Sequence, residues 1–226
     1  MSKSELLRQS WIANAEPWCD AVRNQRIESR RLVTDAAIVD AVLRDDPGHV
    51  LDLGCGEGWL ARALHARGVT VTGVDASAPL VEAAHELGGG AFRALSYEEI
   101  IANPHALGAQ FDTIVANFSL LDDRVEELLR ALRNVLAPRG RLIVQTVHPS
   151  VALDDGAYAD GWRTETFRSM PGTWPESMPW YFRTLASWVR LFGDAGYALT
   201  RIDEPRYPDR PAPASILFTL NLHSSS

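Results

Sequence analysis

The chain has 226 residues, 46% of them hydrophobic and 23% charged, a formal net charge of −7 and a mean hydropathy of −0.11. That length supports one large core and leaves little for two full domains, and the acidic balance, with no stretch concentrating Lys and Arg, argues against a nucleic-acid partner. Met1 to Gln9 is polar, no apolar run nears the ~20 residues of a membrane helix, and Cys19 and Cys55 sit in no metal-ligating or Cys-x-x-Cys spacing, so a soluble cytoplasmic protein without a metal site is expected.

From Thr34 to Leu43, Ala37, Ile38, Ala41 and Val42 share one helical face, with Thr34 as the expected N-cap. Val50 to Leu53 reads as a buried strand, followed by a glycine-rich turn, a helix from Trp59 to Arg67 and a second strand from Val69 to Val74. A helix over Pro79 to Leu87 ends in three glycines. A short strand at Ala91 to Ala94 then leads to Ser96 and Glu99, spaced as a capping box. Phe111 to Ala116 is a fourth strand, Arg124 to Leu136 an amphipathic helix and Arg141 to Val147 a fifth strand. Leu185 to Ala195 reads as a helix capped by Gly196, and strands are expected at Tyr197 to Ile202 and Ile216 to Leu222, joined by a proline-rich loop. The alternation predicts a doubly wound α/β fold with a parallel sheet and an antiparallel pair at one edge.

The informative stretch is Asp52-Leu53-Gly54-Cys55-Gly56-Glu57-Gly58. Its glycines permit a sharp turn and close approach of a ligand to the backbone, at the strand exits where such sheets bind ligands. Asp75, ending the second strand, stands where an acid accepts both ribose hydroxyls. A dinucleotide pattern requires glycine at position 59, which is Trp59, and Glu57 adds charge that a pyrophosphate opposes. A ligand with a ribose and a cationic amino-acid arm, and no phosphate, suits the pattern better.

These residues resemble the first motif of the class I S-adenosylmethionine-dependent methyltransferases, Asp75 resembles the family's ribose-binding acid, and Phe111-Asp112-Thr113-Ile114-Val115-Ala116-Asn117 its fourth strand. Leu136-Ala137-Pro138-Arg139-Gly140-Arg141 is similar to its turn into the fifth strand. The resemblance implies a Rossmann-like seven-stranded sheet of order 3-2-1-4-5-7-6 with strand 7 antiparallel. It implies S-adenosyl-L-methionine as cofactor and one methyltransferase domain over residues 1–226: a helical cap (1–48), a cofactor-binding core (49–148), a lid insertion (149–183) and a C-terminal helix with strands (184–226).

Carried over by position, the resemblance sets Gly54, Cys55 and Gly56 against the methionine arm, Asp75 on the ribose, and Ala76 and Leu80 beside the adenine. The backbone of Leu95 and Ser96 would read the adenine edge, Asn117 and Phe118 would face the sulfur, and Asp52 would support the loop or reach the amino group. Arg30 or Arg31, with Arg31 preferred, would pair with the carboxylate. Methyl transfer needs collinear placement of acceptor, methyl and sulfur more than a dedicated nucleophile. His148 is either a general base for an oxygen acceptor or a surface histidine.

The insertion from Pro149 to Arg183 is aromatic. Tyr158, Trp180 and Tyr181, with Trp18 from the N-terminal segment, are candidate acceptor contacts, or simply pack the lid. The run Asp122, Asp123, Glu126 and Glu127 reads as a solvated helix start. Asn117-Phe118-Ser119-Leu120 departs from the Asn/Asp-Pro-Pro-Tyr/Phe of enzymes that methylate planar nitrogens. A small-molecule acceptor, at oxygen, is therefore expected. A nicotinamide-dependent oxidoreductase and a non-catalytic cofactor-binding protein are the alternatives.

Overall fold

The computed structural model describes residues 1–151 and 157–223. Strands form where short apolar runs stand between turns: β1 (His49–Leu53), β2 (Thr70–Asp75), β3 (Ala91–Ala94), β4 (Phe111–Asn117), β5 (Leu136–Thr146), β6 (Gly161–Glu165), β7 (Met178–Phe182), β8 (Tyr197–Asp203) and β9 (Ile216–Leu222). Seven make one sheet in the order β3-β2-β1-β4-β5-β9-β8, with β9 antiparallel to both neighbours. This is the topology the resemblance implies.

Side chains alternate across each strand, so β1 sends Leu51 and Leu53 to one face and Val50 to the other. The first face packs with Ile114, Leu142 and Phe218 against α6 (Tyr97–Ala102), α7 (Val125–Leu132) and α8 (Leu185–Asp194). The second packs with Val71, Val115 and Ile143 against α3 (Asp35–Leu43), α4 (Trp59–His65) and α5 (Ala78–Leu87). Both faces being covered explains why the central strands read as continuous apolar runs. Among the described residues, no helix is long and apolar enough to cross a membrane.

Three local expectations change. Thr34 is not an N-cap: it lies inside a π-helical turn, Arg30–Thr34, that runs straight into α3, and its hydroxyl is buried without a partner. The amphipathic helix stops at Leu132, because Leu136 already pairs with Phe111 as the first residue of β5. The aromatic insertion contains a hairpin, β6 with β7, that its composition did not reveal; its residues 152–156 lie outside the described ones.

Before the sheet, α1 (Lys3–Ala13) and α2 (Ala15–Arg23) fold back over the strand ends. α1 packs on β7, and the side-chain amide of Asn14 donates to Glu176 O at 2.8 Å while accepting from Glu176 N at 3.2 Å. A buried charge cluster fastens α2. Glu57, fully buried, accepts from Arg62 Nη2 at 2.6 and 2.8 Å and from Arg23 Nε at 3.3 Å.

Removing one cation from this cluster leaves a buried carboxylate short of charge, whereas removing the carboxylate leaves arginines that reach water. Arg62→Met should therefore cost about 3 kcal/mol and Glu57→Gln distinctly less. Urea unfolding of the two variants checks the order; equal losses would show that Glu57 is hydrated.

Candidate functional site

The chain leaves β1 through Gly54, Gly56 and Gly58, whose φ angles are 76°, 54° and 81°. The three positions do different work. A Cβ at Gly54 would lie 2.3 Å from Ser119 Cβ, and one at Gly58 would lie 2.9 Å from Phe92 Cζ, so these two let neighbouring elements close in. Gly56 instead looks onto the Trp18 ring, and with Gly54 and Cys55 it lines a cavity of about 870 Å³. Hydrogen bonds hold the loop to β2: Gly54 N and Cys55 N donate to Val74 O at 2.8 and 3.0 Å.

Asp75 completes that fastening and faces the cavity. Its Oδ2 accepts from Gly56 N at 2.9 Å and its Oδ1 from Ser77 N at 2.8 Å. Each oxygen keeps acceptor capacity beyond those bonds. Burial raises the carboxyl's pKa, and the backbone donors oppose the rise. Asp52 sits deeper, 2% exposed, and Oδ2 has no partner. Burial, then the charge of Asp75, pushes its pKa up to about 7. Ala76 and Leu80 line the cavity beside Asp75.

The β4 exit forms the opposite wall. Asn117 Oδ1 accepts from Gln145 Nε2 at 2.7 Å, and Phe118, at φ 55°, donates its N–H to Gln145 O at 2.8 Å. A bulky residue in the left-handed region is strained, and such strain gathers at ligand sites. Ser119 Oγ donates to Leu53 O at 2.5 Å, while Tyr97 OH donates to Ser119 O at 3.0 Å. Asn117, Phe118, Ser119 and Tyr97 all line the cavity.

Other expected residues lie elsewhere. Leu95 and Ser96 are not among the described lining residues, and their backbone donors are already used, by Asp75 O at 3.0 Å and Glu99 Oε2 at 2.8 Å. Arg30 lines the cavity, its guanidinium 4.5 Å from the Trp59 ring centre and its Nε 3.0 Å from Asp35 Oδ1. Arg31 borders a separate small cavity beside α2. Glu57, committed to Arg23 and Arg62, does not line the large cavity, so the charge argument against a pyrophosphate is lost.

Leu7, Trp11 and Trp18 from the N-terminal helices and Trp162, Phe167, Met178 and Trp180 from the insertion form an apolar part of the lining, beside charged residues such as Glu5, Arg8 and Glu165. Trp18 and Trp180 thus stand where an acceptor contact was expected. Tyr158 is half exposed, its hydroxyl accepting from Leu185 N, and Tyr181 packs between Trp162 and the Arg183 guanidinium; neither lines the cavity. Leu7 and Tyr97 were missed. The spacing of Leu7, Trp11, Asn14 and Trp18 on one helical face was the available signal. Asp122 and Asp123 line the mouth of the cavity, not a helix start, since α7 begins at Val125.

His148 is nearly buried and is not among the described lining residues, though Val147 before it and Val151 three residues on are. Its Nε2 lies 2.9 Å from Glu204 Oε1, and its Nδ1 accepts from Ser150 N at 3.1 Å and lies 2.7 Å from Ser150 Oγ. Among the described residues no group of three or more His, Cys, Asp or Glu side chains could hold a metal. On its inner side the cavity offers the Asp75 carboxylate, with Asp52 behind it and outside the described lining, and Arg30, which also pairs with Asp35. The Asp75 carboxylate fits a ribose.

The methyltransferase domain family matches residues 25–202. The ubiquinone biosynthesis O-methyltransferase of Pseudomonas aeruginosa is 35% identical over 105 residues, which span 44% of this chain and 44% of that protein, less than half of either. The 1,6-didemethyltoxoflavin-N1-methyltransferase of Burkholderia thailandensis, solved with its namesake compound and S-adenosylhomocysteine, has a TM-score of 0.67 at 19% identity, covering 99% of this chain and 92% of that one. An S-adenosylmethionine-dependent methyltransferase from Mesorhizobium loti has a TM-score of 0.60 at 21% identity, covering 81% and 95%. These structures share the fold.

The unpaired Asp52 has a cost that depends on pH. Its native pKa lies above the unfolded value, so the native state holds the extra proton between about pH 4 and 7 and stability falls as pH rises through that window. Asp52→Asn should raise the unfolding temperature of the ligand-free protein by several degrees at pH 8 and hardly at all at pH 4. Thermal scans at the two pH values check this; no gain at pH 8 would mean that Asp52 is already neutralised.

Proposed function

The chain belongs to the methyltransferase domain family, and from that premise we propose that it moves the methyl group of S-adenosylmethionine to an oxygen of a small, flat, largely apolar molecule. The observation that carries this reading is Asp75, a cavity-lining carboxylate with one oxygen on the glycine loop and the other on Ser77 N, both with capacity left for a vicinal diol. When bound, the donor supplies a sulfonium-activated methyl group that leaves as the acceptor oxygen attacks in line. The chain's own residues position and enclose. Gly54, Cys55 and Gly56 form the bed of the amino-acid arm, Ala76 and Leu80 flank the base, and Asn117 and Phe118 hold the wall nearest the reacting carbon. Arg30, which lines the cavity where Arg31 does not, has more donors than its pair with Asp35 uses and is the candidate partner for the donor's carboxylate.

A volume of about 870 Å³ leaves room for an acceptor beyond the donor. The rings of Trp11, Trp18, Trp162 and Trp180 favour a flat apolar body and exclude water from the transfer. Oxygen as the receiving atom is supported by the partial likeness to an O-methyltransferase. His148, with Glu204 on Nε2 and Ser150 on Nδ1, is the proposed base, standing behind Val147 and Val151 of the lining.

Calorimetric titration with S-adenosylhomocysteine and, separately, NADH tests the reading. Binding of the former alone is expected; binding of NADH alone, or of neither, would overturn it. Asp75→Ala should weaken the former by about 1.5–3 kcal/mol per lost bond, and unchanged affinity would refute the ribose assignment. Once an acceptor is found, His148→Gln should lower kcat about 100-fold with donor affinity unchanged, and an unaltered kcat would remove the base.

A further inference from the structure

Gln145, on β5, is 1% exposed and stands behind the cavity wall, bonded to three stretches of chain that build it. Its Nε2 donates to Thr34 O at 3.0 Å and to Asn117 Oδ1 at 2.7 Å, and its Oε1 accepts from Ser215 Oγ at 3.2 Å. Thr34 closes the turn that carries Arg30, Asn117 ends β4, and Ser215 follows the cavity-lining Ala214. These partners fix which way round each amide sits. Thr34 O can only accept, so Gln145 turned over would set two acceptors against each other in a buried place. With Nε2 donating to Asn117, the atom that meets it has to be Oδ1. The Asn117 amide nitrogen is then left over: no hydrogen bond among the described residues engages it, and Asn117 is half-buried and lines the cavity.

We propose that Gln145 is a positioning residue that locks the Asn117 amide with its N–H groups toward the cavity, so that the β4 wall selects an acceptor molecule presenting an oxygen lone pair there, a carbonyl or an ionised hydroxyl, over one presenting an N–H. This rests on the methyl-transfer reading above and adds a polarity to its acceptor. An asparagine free to turn serves either polarity, because its two ends differ by one atom in shape and are opposite in bonding. Held by Gln145, it serves one. A ligand N–H brought against it leaves two donors facing each other where water is excluded, and both lose their bonds. The same glutamine also holds the main chain at this corner, its carbonyl accepting from Phe118 N at 2.8 Å.

The test uses the full chain saturated with S-adenosylhomocysteine and two flat bicyclic probes of similar size, indanone, which offers a carbonyl oxygen, and indole, which offers an N–H. NMR of the side-chain amides follows binding, with the Asn117 signals assigned by their disappearance in Asn117→Asp. Indanone should bind about tenfold more tightly than indole and move the Asn117 N–H signals downfield. Asn117→Asp, whose carboxylate still accepts from Gln145 but turns an oxygen to the cavity, should reverse the order. Gln145→Glu cannot donate to Asn117, turns its amide over and should also favour indole; a merely structural glutamine would lower the unfolding temperature and leave the order of the probes alone. Should Gln145→Glu not fold, Gln145→Met, which orients nothing, should level the two affinities. Indole binding the unaltered chain as tightly as indanone, or an order that survives these substitutions, would overturn the inference and leave the donor reading standing. Neither probe binding would overturn it together with the flat acceptor, and failure of S-adenosylhomocysteine itself to bind would overturn the donor reading beneath both.

Discussion

The main chain leaving β1 has to turn beneath β2 and into α4 within five residues, and it does so by left-handed conformations at Gly54, Gly56 and Gly58. Much else is set by that turn. It brings Ser119 against Gly54, which ties the β4 exit to the β1 exit, and it brings Gly56 N to Asp75, which ties the loop to β2. The three central strand ends thus become one rigid rim, and the ligand-facing groups stand on it with their positions already fixed. Larger side chains at Gly54 or Gly58 would part the strand exits before they touched any ligand.

Charge is distributed in that rim with unequal care. Glu57, pointing away from the cavity, receives two arginines and anchors α2. Asp75 receives two backbone donors, and Asp52 receives nothing. A protein optimised for stability alone would have neutralised Asp52 as it did Glu57. The unevenness makes Asp52 the costliest of the three charges to bury.

The sheet was legible because each strand's apolar run ends in a turn residue and because both faces are covered, which a run such as Val50 to Leu53 reports directly. The inner wall was legible for the same local reason: Gly54, Gly56 and Asp75 are residue types chosen by backbone shape and ligand chemistry at fixed spacing. The outer wall was not. Trp180 and Tyr181 are adjacent on β7, yet only Trp180 lines the cavity, because successive strand residues face opposite ways and the hairpin's register is a tertiary fact. Arg30 and Arg31, neighbours in a π-helical turn, both border the small cavity beside α2, and only Arg30 also lines the large one. His148 was placed by its strand, but its partners Glu204 and Ser150 come from loops that carry no motif.

The reciprocal amide pair between Asn14 and Glu176 joins parts of the chain 162 residues apart. Contacts of such separation form only after the intervening chain has been ordered, so they come late in folding. The hairpin they secure has two strands, too few to hold itself together. The roof over the cavity is therefore the part whose hydrogen bonds should open at the lowest free energy, well below that of β1 and β4. Its backbone amides should exchange with solvent by partial opening of a fold that remains intact underneath.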